Sequence, residues 1–128
     1  HIPSDLSGEA TERRRQSENR KMAISRLRRT LAILLRRELD TETYAISELW
    51  ESRRQGDRLP ISPKHVEYPA ILAETLDVLL ACNFDMNQTS SILQISNTQI
   101  LKIVSGDKAA ITWFNDQRKE HDLKPLKI

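Results

Sequence analysis

Residues 13–37 read RRRQSENRKMAISRLRRTLAILLRR, and this stretch decides the fold of the 128-residue chain. Apolar residues recur in it at steps of three and four, which is the pattern of an amphipathic helix. They are Ala23, Ile24, Leu27, Leu31, Leu34 and Leu35. Because neither glycine nor proline interrupts the stretch, we predict one long helix from about residue 15 to residue 39. We place four of these leucines in the core: Leu27, Leu31, Leu34 and Leu35.

The same stretch carries an unusual concentration of positive charge. Nine arginines and one lysine stand against a single acid, Glu18, so its net charge is +9, whereas the whole chain carries only +2. A solvated helix face usually mixes both signs, so a run of nearly one sign favours a polyanionic partner. Arginine binds phosphate in bidentate fashion and stacks on bases, which points to a nucleic-acid backbone. A plain solvated helix face is the alternative.

Composition sets the broad class of protein. The chain is 38% apolar and 30% charged, as in soluble globular proteins. Its longest apolar runs, residues 31–35 and 78–82, are far shorter than the ~20 residues of a membrane-spanning helix, so no membrane partner is expected. The single cysteine, Cys82, allows no internal disulfide and indicates a reducing compartment, the cytoplasm by default. Its apolar neighbours predict an inert core thiol.

The stretches on either side of the basic helix are predicted from their turn residues. Residues 1–12 combine proline, glycine and small polar residues, which predicts a loop or an extended end. Residues 40–68 predict a short helix followed by an irregular connector. Pro69 stands at a first-turn position and opens the next helix, which is apolar on one face.

The last third of the chain predicts three short helices, at residues 89–95, 97–104 and 107–121. Asp85 or Asn87, Ser96 and Asp107 are the residues that cap them. The spacing around the first two resembles a helix-turn-helix. However, Gln94 takes the turn position where glycine is usual, and Lys102 is the only cation of the second helix. DNA-reading helices present several cations and amides, so a compact structural unit is the alternative.

A search for catalytic chemistry in the sequence finds no active site. The three glycines lie far apart, which excludes a phosphate-cradling loop and a Gly-x-Ser-x-Gly elbow. His1, His65 and His121 lie in separate segments without metal-ligand spacing, and we expect surface or capping roles for them. We therefore predict no catalytic residue, no metal and no cofactor. Trp113 and Phe114 are expected to close a small core rather than stack on bases.

One local pattern is more specific than composition. The opening HIPSDL and the later RRQSENRKMA at residues 14–23 resemble the catalytic domain of class I peptide chain release factors and their ribosome-rescue relatives. In that family a His-x-Pro-Thr-Gly turn precedes Arg-Ser-Gln-x-x-Asn-Arg-x-x-Ala at the start of a long helix. Ser4 stands for the threonine, and Asp5 and Arg15 depart from the usual glycine and serine. The agreeing residues are His1, Pro3, Arg14, Gln16, Asn19, Arg20 and Ala23.

The resemblance implies an architecture for the whole chain. It covers roughly the first 37 residues, and residues 62–79 look similar to the helical C-terminal extension of bacterial release-factor-like proteins. Residues 1–39 then form the C-terminal part of an α+β catalytic domain, with a loop and the long basic helix. Residues 40–68 are a connector, and residues 69–128 form a small helix-turn-helix-like bundle. The expected fold class is therefore mostly α.

The resemblance also implies roles for particular residues. The partners it implies are the rRNA of the large ribosomal subunit and peptidyl-tRNA. Gln16 and Asn19 would position a loop upstream of the helix, and Arg36 and Arg37 would extend the contacts to the RNA backbone. The RNA-binding residues would be Arg13, Arg14, Arg15, Arg20, Lys21, Arg26, Arg28 and Arg29.

One departure from the family concerns catalysis. The family hydrolyses the ester of peptidyl-tRNA with a Gly-Gly-Gln loop, and this tripeptide does not occur in the chain. We therefore expect an N-terminally truncated fragment, inactive by itself, whose intact form is a peptidyl-tRNA hydrolase of translation termination or ribosome rescue. The sequence leaves open which of the two processes it serves. The rival predictions are a non-enzymatic helix-turn-helix module that binds DNA through residues 87–104, and an interaction scaffold that binds no nucleic acid.

Overall fold

The structure is a computed structural model that describes the backbone of residues 2–124 and the side chains of residues 14–124. Within these residues the secondary structure is helical apart from one isolated antiparallel bridge between Gln55 and Arg58. The mostly helical fold class is therefore confirmed. The six helices are α1 (Ile2–Leu34), α2 (Glu48–Arg53), α3 (Tyr68–Ala81), α4 (Met86–Leu93), α5 (Asn97–Ser105) and α6 (Lys108–Glu120).

The first helix begins much earlier than the sequence predicts. α1 starts at Ile2, so the loop predicted for residues 1–12, including the turn that the family resemblance implies there, is wrong from residue 2 onward; His1 lies outside the described residues. Pro3 falls in the first turn, where a helix tolerates proline, and a single Gly8 costs only about 1 kcal/mol. Its 33 residues span about 50 Å.

The same helix ends at Leu34 rather than near residue 39. The Leu35 N–H still donates to the Leu31 carbonyl at 2.9 Å. Two residues later the pattern changes, because the Arg37 N–H donates to Oδ1 of Asp77 in α3 at 3.0 Å. A side chain of the bundle thus replaces the helical acceptor and ends the helix.

The predicted core face of α1 is wrong. Ala32 and Ile33 are buried, whereas Leu27, Leu31, Leu34 and Leu35, placed in the core by the sequence, are 43–70% exposed. At 3.6 residues per turn, Ala32 and Ile33 face almost opposite these leucines, so periodicity alone could not say which face is covered. α1 packs on α3 and α6 with the Ala32 side. We call the exposed set the outward stripe: Ile24, Leu27, Leu31, Leu34 and Leu35.

The core of the molecule surrounds α3, which packs against α1, α4 and α5. Leu72, Leu76 and Leu79 of α3 have no exposed surface. The segment before α3 also belongs to this core, because Trp50 and Leu59 are fully buried in it. The indole N–H of Trp50 donates to the Leu93 carbonyl of α4 at 2.9 Å, which satisfies the one polar atom of a buried aromatic side chain.

The turns that separate the last helices follow the predicted cap residues. Pro69 lies in the first turn of α3, and the side chains of Asp85, Ser96 and Asp107 accept hydrogen bonds from the first turns of α4, α5 and α6. These predictions are confirmed, although α4 begins about one turn early. Gln94, between α4 and α5, has a φ of +59°, the left-handed conformation that glycine usually takes at this position.

The turn after α5 is tightly packed around Gly106. The Tyr68 hydroxyl donates to the Ile103 carbonyl at 2.5 Å. A Cβ atom at Gly106 would lie 2.6 Å from that hydroxyl oxygen and 2.9 Å from Cγ of Pro63. Only a residue without a side chain fits here without displacing its neighbours.

Candidate nucleic-acid interface

Most of the cations predicted to bind RNA lie free on the surface of α1. Within residues 14–124 none of these side chains has an ion-pair or hydrogen-bond partner, and Glu18 is the only acid between residues 14 and 37. This part of the α1 surface is therefore positively charged, and no acidic side chain described by the structure forms an ion pair with its cations. The exposed cations are Arg14, Arg15, Arg20, Lys21, Arg26 and Arg28. The side chain of Arg13 lies outside the described residues.

Arg29, the last of the predicted RNA contacts, is turned toward the bundle. Its side chain is half-buried, and Nε lies 4.0 Å from Oδ2 of Asp107. The other oxygen of that carboxylate accepts the N–H groups of Ala109 and Ala110 at the start of α6. Arg29 thus links α1 to α6 and offers less of its charge to a ligand than the exposed cations do.

Arg36 is not available for RNA, so its predicted backbone contact is wrong. Its Nη1 donates to Oδ1 of Asp77 at 2.9 Å and to the Ala73 carbonyl at 3.1 Å, and its guanidinium lies 5.6 Å from the ring centroid of Trp113. Burial lowers the pKa of Arg36, and Asp77 partly opposes this effect. Arg37 is exposed, and its contact with RNA stays a prediction.

Two shallow clefts lie where α1 crosses the turn before α3; we call them the α1 clefts. Their volumes are about 490 and 450 Å³, and both have Lys21, Ser25 and Lys64 in their walls. Arg26 and Arg29 complete the first, and Arg28 completes the second. No carboxylate lines either cleft. Cations over an apolar floor can take both a phosphate and the face of a base.

The two residues predicted to position an upstream loop lie on the surface of α1. Gln16 and Asn19 are exposed on α1, and within residues 14–124 neither side chain forms a hydrogen bond. Their amides are therefore open to a ligand or to another segment. The positioning role stays a prediction.

A third cationic cleft, which sequence reasoning missed, lies against α5; we call it the α5 cleft. It holds about 510 Å³ between the Gln55–Arg58 turn and the helix, and Arg58 and Lys102 are its exposed cations. Gln99 also lines it, and its Oε1 accepts the Leu59 N–H at 3.2 Å. This fixes the amide, and its N–H groups make no hydrogen bond within residues 14–124. The signal in the sequence was the Arg-Gln-Gly-Asp-Arg turn, with Gly56 at a φ of +62°.

The remaining titratable residues have structural roles. Cys82 is buried as predicted, and burial raises the pKa of its thiol. His121 is the C-cap of α6, which confirms a capping role for it, whereas His65 does not cap α3: its Nδ1 accepts the N–H of Glu67, the N-cap residue, at 3.0 Å. Arg118, which the sequence did not single out, is buried and donates to the Lys124 carbonyl at 2.8 Å.

The described part of the chain offers no other obvious chemistry. Among residues 2–124 no cluster of three His, Cys, Asp or Glu side chains could hold a metal ion. None of the helices described combines the length and the apolar character needed to cross a bilayer. Phe114 is fully buried and Trp113 packs against the same core, which confirms their predicted role.

Comparison with known proteins does not extend this description. No family model, no curated protein and no solved structure matches the chain. The candidate interface is therefore defined by the geometry and charge of α1 and of the clefts beside it.

Proposed function

We propose that the protein binds RNA through α1, as a release-factor-like protein of translation termination or ribosome rescue. The observation that carries this proposal is the set of six exposed arginines and lysines on one helix, none of which pairs with another side chain within residues 14–124. Positive charges that lie close together repel one another, and the negative charge of a bound polyanion relieves that repulsion. Binding also releases the counterions that the polyanion had condensed, which favours the complex. The α1 clefts, which have cations in their walls and no carboxylate, give such a strand a defined place.

The resemblance of residues 14–23 to class I release factors supports a ribosomal partner. On this proposal the RNA is the rRNA of the large subunit, peptidyl-tRNA is the second partner, and the protein acts in the cytoplasm. The chain contains no Gly-Gly-Gln, so the proposal gives these 128 residues the RNA binding and not the ester hydrolysis.

The test is binding to isolated large ribosomal subunits at several salt concentrations. The triple variant Arg20→Gln, Lys21→Gln, Arg26→Gln removes three exposed α1 cations. We expect it to lower the salt slope by about 3, one for each lost phosphate contact, and to weaken binding by at least about tenfold. The control removes the same charge from exposed lysines at the other end of the chain. Its substitutions are Lys108→Gln, Lys119→Gln and Lys124→Gln.

Equal losses in the two triple variants contradict the proposal, because the effect then follows net charge and not α1. A wild-type salt slope near zero contradicts it as well, since binding without counterion release is not binding to the RNA backbone.

A second candidate function is a DNA-binding helix-turn-helix, favoured by the left-handed Gln94 between α4 and α5. In this arrangement α5 is the recognition helix, and it exposes Asn97, Thr98 and Lys102. Duplex DNA binding that is lost in Asn97→Ala or Lys102→Gln, and retained in the α1 triple variant, selects this function over the first.

A further inference from the structure

We propose that the RNA strand held by α1 continues across the connector and places one nucleotide in the α5 cleft. This inference rests on the proposed RNA binding and adds a second, separate part to the binding site. The ligand class is a single strand with a phosphate for the cleft's cations and a base for its floor.

The first argument is continuity between the clefts. Pro63 and Lys64 line the first of the α1 clefts, while Pro60 and Ile61 line the α5 cleft. Ile61 and Pro63 are two residues apart, so their Cα atoms lie within about 7.6 Å of each other. This distance is much shorter than a strand of the roughly 4–16 nucleotides that single-strand-binding folds cover. One strand can therefore reach both places.

The second argument is the chemistry of the α5 cleft. Arg58 and Lys102 are exposed, and within residues 14–124 neither side chain has a partner. No carboxylate lines the cleft, and Pro60 and Ile61 supply the apolar part of its surface, with Leu59 and Ile103 buried beneath. Its volume, about 510 Å³, lies in the range of roughly 300–1,000 Å³ typical of small-ligand sites.

The third argument is a hydrogen-bond donor that is already oriented. The Leu59 N–H holds Oε1 of Gln99 at 3.2 Å, and this side chain lines the cleft, so its amide N–H groups are the part left to a ligand. The donor therefore loses little rotamer freedom when it binds, which is the benefit of preorganisation.

The shape of the site favours a single strand over a duplex. The turn from Gln55 to Arg58 and the segment that follows it, residues 59–61, close one side of α5. A duplex needs an open helix face that enters a groove, whereas a concave cleft with an apolar floor takes a splayed base.

The experiment compares two fluorescein-labelled single-stranded RNAs by anisotropy, one of about 5 and one of about 16 nucleotides. The double variant Arg58→Gln, Lys102→Gln is matched by Lys108→Gln, Lys119→Gln, which removes the same charge from exposed positions of α6. For the long RNA we expect the first double variant to weaken binding at least about tenfold and to lower the salt slope by about 1, for the one phosphate that the two cations share, and the second to change neither. For the short RNA, which α1 holds alone, we expect both double variants to bind like the wild type.

Gln99→Glu probes the oriented donor directly. Glutamate keeps an oxygen for the Leu59 N–H but replaces the amide donors with a carboxylate, so the fold is retained and only the long RNA binds more weakly. A thermal melt matching the wild type checks that the fold is retained. If this variant binds the long RNA as well as the wild type does, Gln99 is not a contact.

The two proposals fail in different ways. If the long RNA binds with the same affinity and slope in both double variants, the α5 cleft is not part of the site, while α1 binding stands. If neither RNA binds the wild-type chain in a salt-dependent way, the proposed RNA-binding function itself is wrong.

Discussion

α1 and α3 are the two longest helices described by the structure. Most apolar residues of α3 are buried, whereas those of the outward stripe of α1 are exposed. α3 is enclosed by α1, α4 and α5, and eight of its 14 residues are buried. α1 packs mainly on α3 and α6, and between residues 14 and 34 it buries only Ala32 and Ile33. An apolar periodicity thus shows that a helix has an apolar face. Whether this face is covered depends on the number of its neighbours.

The largest expected effect comes from the ion pair that joins the two helices. Asp77→Asn leaves the buried Arg36 guanidinium without its countercharge, and we expect a loss of about 3–5 kcal/mol in the free energy of unfolding, measured with urea. The double variant Arg36→Met, Asp77→Leu removes both charges and is expected to recover most of that loss, apart from the hydrogen bond that Asp77 also accepts from the Arg37 N–H. A double variant as unstable as Asp77→Asn contradicts this account.

The next effect compares the buried and the exposed face of α1 at two adjacent positions. Ile33→Ala empties a site that is only 7% exposed, and we expect it to cost about 2–4 kcal/mol. Leu34→Ala removes an isomeric side chain that is 70% exposed on the outward stripe, and we expect a change within about 0.5 kcal/mol. Both changes in the free energy of unfolding are measured by denaturant unfolding at one pH. Equal costs for the two would mean that something covers the outward stripe.

A smaller effect is expected at the tight end of the bundle. Gly106→Ala drives a methyl group toward the Tyr68 hydroxyl and Pro63, and we expect a loss of about 1–2 kcal/mol. In a Tyr68→Phe background the nearest atom is gone, so the same substitution should cost less. A double-mutant cycle measures this coupling. Additive losses would show that the hydroxyl does not set the packing at Gly106.

The smallest effect is kinetic and concerns thiol reactivity. Cys82 is 3% exposed, and burial raises the pKa of its thiol, so we expect a thiol reagent to label it only as fast as the bundle opens. A cysteine on the outward stripe, Leu31→Cys in a Cys82→Ala background, should react at the rate of a free thiol. Similar labelling rates for the two thiols would contradict the contrast between the bundle and α1.

The sequence predicted best where the deciding interaction is local. Asp85, Ser96 and Asp107 cap their helices because a short side-chain oxygen reaches an N–H two or three residues away. The face of α1 could not be predicted in this way, because burial of Ile33 depends on where α3 and α6 lie. The α1 cations are recognisable by composition alone. The α5 cleft is not, since it joins Arg58 to Lys102 across 44 residues of chain.

The attachment of α1 has a mechanical consequence. At its C-terminal end the Arg37 backbone and the Arg36 guanidinium both engage Asp77, and Arg36 lies beside the ring of Trp113 in α6. The C-terminal end of α1, a helix about 50 Å long, is therefore held at Asp77, and Arg29 adds a second link to α6 through Asp107. A rotation of about 5° at this end would move the other end by about 4 Å, more than the length of a hydrogen bond. The position of the arginines near residue 14 thus depends on a side chain 63 positions away in the sequence.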